Sequence, residues 1–221
     1  MKKSFLVIGL GRFGSNVAKT LVALNCDVLA VDINEEAVQA VSKVVGQHCI
    51  VADTSKASVI NEIMGKNVVD HAVVGIGNNL QASILTIVNL KNIGVPKITV
   101  RADMEAHREL YMMVGATEVV VPEEASAISL ANQIQSDSTL DYYNLSKEYA
   151  IVKISVGDNF QSKSLIELNI RNAFDINIVG IIKNNGEFFI PRGTDLITPK
   201  DIVVAVGTRL KLKKFDGFLN S

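Results

Sequence analysis

The stretch Gly9-Leu10-Gly11-Arg12-Phe13-Gly14 has the spacing G-x-G-x-x-G. That spacing has a chemical use when it joins a strand to a helix, and here the apolar run Phe5-Leu6-Val7-Ile8 precedes it directly. Gly9 permits a tight turn, Gly11 lets backbone approach a phosphate, and Gly14 allows close helix–strand packing. The helix start that follows offers N–H groups and a partial positive charge to an anion. Asp32 closes the next apolar run, 18 residues beyond Gly14. A carboxylate there accepts hydrogen bonds from ribose hydroxyls and repels a 2′-phosphate. The combination points to an adenine nucleotide.

Further candidates follow at the ends of later apolar runs. Asp53 has two readings, contact with the adenosine or a cap on the helix starting near Ser55. Gly75-Ile76-Gly77-Asn78-Asn79 falls at a carboxyl end, where ligands bind in such sheets. Arg12 is not required by the turn: it is either a solvated helix-start residue or a guanidinium for terminal phosphates or an interface. Arg101 and Glu123 end up on the same rim. Glu123 reads equally as a helix-start carboxylate favoured by the dipole or as a ligand for a divalent cation on the phosphates. His48 and His71 fall at strand starts on the opposite rim, and His107 on a charged helix face. Hydride transfer needs an acid or base near a nicotinamide and a substrate pocket, and the sequence offers neither.

The elements that must position these residues alternate regularly. Apolar runs at Phe5–Ile8, Val28–Val31, 48–52, 72–75, Ile98–Val100 and Val119–Val121 read as six strands. Helices are expected over 12–25, from Asn34, and over 56–64, 80–92, 105–114 and 122–135, with Phe13, Val17, Leu21 and Leu24 on one face of the first. Strands that are apolar throughout and alternate with helices imply a doubly wound parallel six-stranded sheet covered on both faces. After Ile134 the texture changes: 135–139 is polar and reads as a hinge. Strands then crowd together over 151–156, 176–182, 188–190 and 202–206, with helices near 165–168 and 209–215, and Asn184-Asn185-Gly186 signals a hairpin. This is a small α+β domain. The expected layout is a nucleotide domain over 1–122, a linker or crossover helix over 123–137 and a second domain over 138–221.

Composition removes several classes. The 221 residues are 48% hydrophobic and 20% charged, enough apolar material for a core. With 22 Lys+Arg against 23 Asp+Glu and only 5% aromatic residues, nothing favours nucleic acid. Cys26 and Cys49 form no CxxC, so a reducing compartment is expected. The run 71–90 lacks charged residues, but its glycines and amides argue against a membrane span.

Together, Ile8 to Gly14, Val31-Asp32, Ala52-Asp53, the segment from Gly75 through Asn78-Asn79-Leu80-Gln81-Ala82-Ser83, and Val121-Pro122-Glu123 resemble the RCK proteins, regulators of potassium conductance, in their KtrA/TrkA-type form. The resemblance covers essentially the whole chain. It implies a Rossmann-like N-terminal domain, a small C-terminal RCK domain, and a cytoplasmic regulatory subunit that is not an enzyme. It further implies homodimers assembling into an octameric ring beneath an integral-membrane potassium-transporting partner. ATP or ADP, and in some members NAD(H), would bind at Gly9, Gly11, Arg12, Phe13, Gly14, Asp32, Ile33, Asp53, Thr54, Gly75, Ile76, Gly77, Arg101 and Glu123. Arg12 matches the arginine that reaches a γ-phosphate, and Glu123 the acidic residue associated with a divalent cation, Mg or Ca. Arg171, Asn172, Asn177, Ile178 and Pro191 resemble a cyclic di-AMP pocket, with an ordinary apolar dimer interface as the alternative.

Overall fold

The computed structural model describes residues 2–65, 68–77, 79–135 and 137–221; Asn78 of the candidate loop and Ser136 of the expected hinge lie outside the described residues. The chain divides into two units, Met1–Glu124 and Ala125–Ser221, with the division inside a helix rather than at either end of the segment 123–137.

The first unit alternates strictly. Its elements are β1 (Ser4–Ile8), α1 (Arg12–Ala23), β2 (Asp27–Asp32), α2 (Glu35–Val45), β3 (Cys49–Val51), α3 (Ala57–Gly65), β4 (His71–Val74), α4 (Leu80–Asn92), β5 (Ile98–Arg101), α5 (Arg108–Val114) and β6 (Glu118–Val120), followed by α6 (Pro122–Ile134). The sheet is fully parallel in the order β3-β2-β1-β4-β5-β6. The order reverses between β1 and β4, which opens a crevice at their carboxyl ends. Successive residues of β1 serve opposite faces, as period-two strands must. Leu6 and Ile8 pack with Leu29, Val31 and Val74 on one side, while Val7 packs with Val28, Ala30 and Val73 on the other. Burial on both faces is why these strands read as continuous apolar runs.

Two local expectations shift. The single helix expected over 105–114 is a 3₁₀ turn, Glu105–His107, before α5. His107 sits in that turn, edge-on to Tyr111. Leu24 is the C-cap of α1 and is exposed, because the helix ends before its apolar stripe does.

The second unit contains β7 (Thr139–Asn144), β8 (Tyr149–Ser155), β9 (Lys163–Ser164), α7 (Leu165–Leu168), α8 (Ile170–Phe174), β10 (Asn177–Ile182), β11 (Phe188–Phe189), β12 (Leu196–Ile197), β13 (Ile202–Thr208) and α9 (Arg209–Leu219). An antiparallel sheet runs β11-β10-β13-β8-β7, and β12 pairs with β9. Leu212, Phe215 and Leu219 of α9 close the core over Val152, Ile154 and Ala205. The hairpin turn is formed as its residues dictate, with Gly186 at φ 85° between β10 and β11. Asp201, 1% exposed, accepts through Oδ2 from Lys183 Nζ at 2.7 Å and from Thr198 N at 2.8 Å, so the buried charge is paired. The polar stretch expected to act as a hinge ends one residue early, since Thr139 already opens β7.

Candidate nucleotide-binding site

The crevice at the reversal point is a cavity of about 460 Å³. Its lining includes Gly9, Gly11, Asp32, Ile33, Asp53, Thr54, Gly75, Ile76 and Gly77 from the sequence-derived set. Four connections bring them together: the β1–α1 loop, the end of β2, the β3–α3 loop and the β4–α4 loop.

The glycines have separate tasks. Gly9 has φ 84° and lies against the backbone of the β4–α4 loop, where a Cβ would stand 2.7 Å from both Gly75 C and Ile76 N. A Cβ on Gly14 would stand 1.8 Å from Gly9 O, so α1 packs directly on the loop. At Gly11 the space within 4 Å is open on the cavity side. Gly11 is also the N-cap of α1 and brings no side chain to its first turn. The first-turn N–H groups and the helix dipole are therefore presented to an anion arriving over Gly11.

Asp32 braces the same loop. Its carboxylate accepts from Leu10 N at 2.5 Å through Oδ2 and from Asn34 N at 2.8 Å through Oδ1. A carboxylate has about four acceptor positions, so two ribose hydroxyls still find room. Asn34 in turn caps α2 through Glu36 N at 2.8 Å, a bond worth roughly 1 kcal/mol. Ile33, 69% exposed at the mouth, offers an apolar surface to a base.

Asp53 forms the turn into α3. Its Oδ1 accepts from the Ser55 hydroxyl at 2.6 Å and from Ser55 N at 3.2 Å, and the hydroxyl bond holds its carboxyl below the ordinary range. It caps the turn and still lines the cavity. Thr54 is buried with its hydroxyl 3.0 Å from that of Thr86, so it contributes wall rather than a polar contact. Asn89 Nδ2 donates to Thr54 O and Ser55 O, while Ser83 Oγ donates to Asn79 O. Helix α4 thus fixes both walls. Ser55, Asn79 and Ala82 also line the cavity. The Asn79 and Ala82 signal was present in the helix start 79–83; Ser55 carried none.

Arg12, Phe13, Gly14, Arg101 and Glu123 lie outside that lining among the described residues. Arg12 is exposed at the first position of α1. Arg101, expected on the same rim as Glu123, is bonded to it: Nη2 donates to Glu123 Oε1 at 2.7 Å, and Nη1 lies 3.0 Å from Asp103 Oδ1. Nη1 also lies beside Gly77, 3.2 Å from where a Cβ would stand. The Arg101 guanidinium holds the Glu123 carboxyl below the usual range, with its own backbone amide and Arg12 adding to the effect. No cluster of three or more His, Cys, Asp or Glu able to hold a metal occurs among the described residues, so a cation here would need oxygens from the nucleotide itself.

In the second unit, Arg171, Asn177 and Ile178 line a cleft of about 140 Å³ with Leu165, Ile170 and Ile176. Asn172 and Pro191 are not among its lining. Asn172 Nδ2 donates to Asn169 Oδ1 at 2.7 Å. A larger hollow of about 490 Å³ lies between α6, the β7–β8 face and α9, lined by Tyr142, Val152, Ile154 and Arg209 among others. It has no glycine-built cradle, so size alone does not identify the site. No helix among the described residues is long and apolar enough to cross a membrane.

Comparison with known proteins agrees with this arrangement. The TrkA-N domain family matches residues 5–122 and the TrkA-C domain family residues 149–220. Ktr system potassium uptake protein C of Bacillus subtilis (strain 168) is 37% identical over 216 residues, covering 98% of this chain and 97% of that one. Ktr system potassium uptake protein A of the same organism is 34% identical over 215 residues, covering 97% and 96%. The RCK domain of GsuK superposes with a TM-score of 0.67 at 16% identity, over 100% of this chain and 48% of that one, a likeness of fold. Two family domains in the same order, with relatives of this identity along their whole length, make the chain a member of the TrkA-type RCK family.

Proposed function

We propose that the chain is the nucleotide-gated regulatory subunit of a Ktr-type potassium-uptake system, working from the cytoplasmic face through an integral-membrane partner. The observation that carries the nucleotide reading is the cavity at the reversal point, where Gly11 leaves open space over the uncapped start of α1 and Asp32 faces it from β2. Phosphates lie over Gly11, ribose meets Asp32, and the base rests near Ile33. The same cradle accepts ATP, ADP or the adenosine half of NAD(H). The full-length Ktr relatives support the potassium assignment.

Switching requires a ligand that binds two states unequally. ATP and ADP share every group that Gly9, Gly11 and Asp32 hold. The γ-phosphate and a divalent cation, Mg or Ca, are what differ. Arg12 supplies a planar cation for the terminal oxygens, and Glu123 an oxygen ligand for the metal. The donor set fits a cation shared with phosphate: a carboxylate, 61% exposed, at a helix start on this rim. One charge-assisted contact of roughly 1.5–3 kcal/mol per subunit, repeated around a ring, is enough to move a gate.

Assembly into homodimers and an octameric ring follows the same reading. Helix α6 buries none of its side chains within one chain, and Ile128, Leu130 and Ile134 on it are exposed. The cleft at Arg171, Asn177 and Ile178 takes cyclic di-AMP when a second copy, bringing Asn172 and Pro191, completes it. The test is potassium flux through the reconstituted partner: Arg12→Ala keeps ADP binding near wild type and loses the ATP-specific effect. Flux that still responds to ATP as in wild type makes Arg12 a helix-start residue only.

A further inference from the structure

Glu123 already has a cation. Arg101 Nη2 lies 2.7 Å from its Oε1, and the Arg101 side chain is only 16% exposed. Arg101 is anchored independently by Asp103 at 3.0 Å and lies beside Gly77 on the cavity rim. Because Asp103 keeps its hold, releasing Glu123 does not leave the guanidinium without a counter-ion, and the swap avoids the cost of an unpaired charge. Glu123 is the exposed partner, with 61% of its side chain in solvent, so its carboxylate can turn away without opening the core. It also sits in the first turn of α6, the helix that carries the chain into the second unit.

We propose that Arg101 is the resident counter-cation of Glu123, and that a divalent cation on the nucleotide binds by displacing it: Glu123 passes from Arg101 to the metal while Arg101 stays on Asp103. This rests on the nucleotide-and-cation reading of the site. Arg101 is then a competitor for the metal ligand and sets the cation concentration at which the ATP form assembles. Two substitutions push in opposite directions. Arg101→Gln frees Glu123 and tightens cation binding. Asp103→Asn removes the second anchor, commits Arg101 to Glu123 and weakens it.

Titrating Mn²⁺ into the full chain saturated with ATP, by calorimetry or by the electron spin resonance of free Mn²⁺, reads this directly. We expect Arg101→Gln to bind Mn²⁺ two- to fivefold more tightly than wild type, the scale of a partly exposed ion pair. Asp103→Asn should bind it correspondingly less tightly. In a Glu123→Gln background, Arg101→Gln should change nothing. Mn²⁺ binding in wild type with unchanged or weaker binding in Arg101→Gln overturns the exchange and leaves the site reading standing. A gain that survives in the Glu123→Gln background overturns it too, since Arg101 then acts on the cation through general charge. Should Arg101→Gln fail to fold, Asp103→Asn decides alone: unchanged or tighter Mn²⁺ binding overturns the exchange. ATP-loaded wild type that binds no Mn²⁺ overturns the site reading itself, and the exchange with it.

Discussion

The two clefts differ in what they are built from. The N-terminal cavity is made of backbone: two glycines packed against other main chain, one glycine facing open space, and a carboxylate that braces the loop. All of its lining comes from one chain. The C-terminal cleft is made of side chains, has less than a third of that volume, and leaves Arg171 and Asn177 exposed at its edge. Backbone cradles come preformed because main chain inside a sheet cannot move without breaking the ladder. A side-chain cleft at an edge takes its final shape from whatever packs against it. The first should therefore bind as a single chain, and the second only as a pair.

The largest effect should come from breaking the cradle. Gly14→Ala forces a Cβ to 1.8 Å from Gly9 O, which we expect to destabilise the N-terminal unit by roughly 3 kcal/mol and abolish ATP binding. Gly11→Ala puts its Cβ in open space and costs only the weaker N-cap, so Tm should fall far less than in Gly14→Ala while ATP affinity falls about tenfold or more. Thermal melts with and without ATP check both, and equal Tm losses would mean the two glycines share one task.

Asp32→Ala comes next. Loss of a charge-assisted acceptor should weaken ATP binding by roughly 1.5–3 kcal/mol, ten- to a hundredfold. Because Asp32 also holds Leu10 N and Asn34 N, Tm should drop as well. Asp32→Asn should recover part of the Tm and little of the affinity. Calorimetry finding unchanged ATP affinity removes Asp32 from the site.

Arg171→Ala tests the other cleft. It should abolish cyclic di-AMP binding and spare ATP binding. Wild-type cyclic di-AMP affinity should fall on dilution below the dimer range, as followed by light scattering against the single-chain mass of 23.9 kDa. Binding by a dilute monomer would end the distinction between the clefts.

The smallest effect is acidic. The Glu123 carboxyl is held below its ordinary value in the folded state, so the ion pair contributes fully above that ordinary value. The contribution is lost as pH falls through the depressed value. The Tm difference between wild type and Glu123→Gln should be about 1–3 °C at neutral pH and vanish in acid below the usual carboxylate range. A difference that persists there would assign it to something other than the pair.

Most of the first unit was legible in the chain. All six strands and the sheet class came from apolar runs, because burial on both faces leaves no polar alternation to confuse the pattern. The family resemblance rested on the same loops and is matched by both family domains. The second unit was harder. Helix α8 has five residues, too few for a 3.6-residue period to show, and β9 and β12 have two each. Strand β7 begins inside the polar stretch, and most of its residues are exposed or half-buried, so its composition resembles a loop. The 3₁₀ turn at Glu105 has no separate signature; there Arg108 bonds back to Glu105 and to Val119 O at 2.6 Å, a contact made only once β6 is in place.

By itself, the sequence singled out the candidate residues for holding a nucleotide. Glycine spacing and a carboxylate at a strand end are local requirements, written in residues close along the chain. Tertiary structure decided how those residues are employed. It gave Asp53 to Ser55 and the Thr54 hydroxyl to Thr86, and it placed Arg101 on Glu123 across 22 residues. An arginine at the end of one strand and a glutamate after the next carry no mark of pairing. They meet because β5 and β6 run parallel as neighbours, which brings both carboxyl ends to one rim, and because opposite charges brought that close satisfy each other.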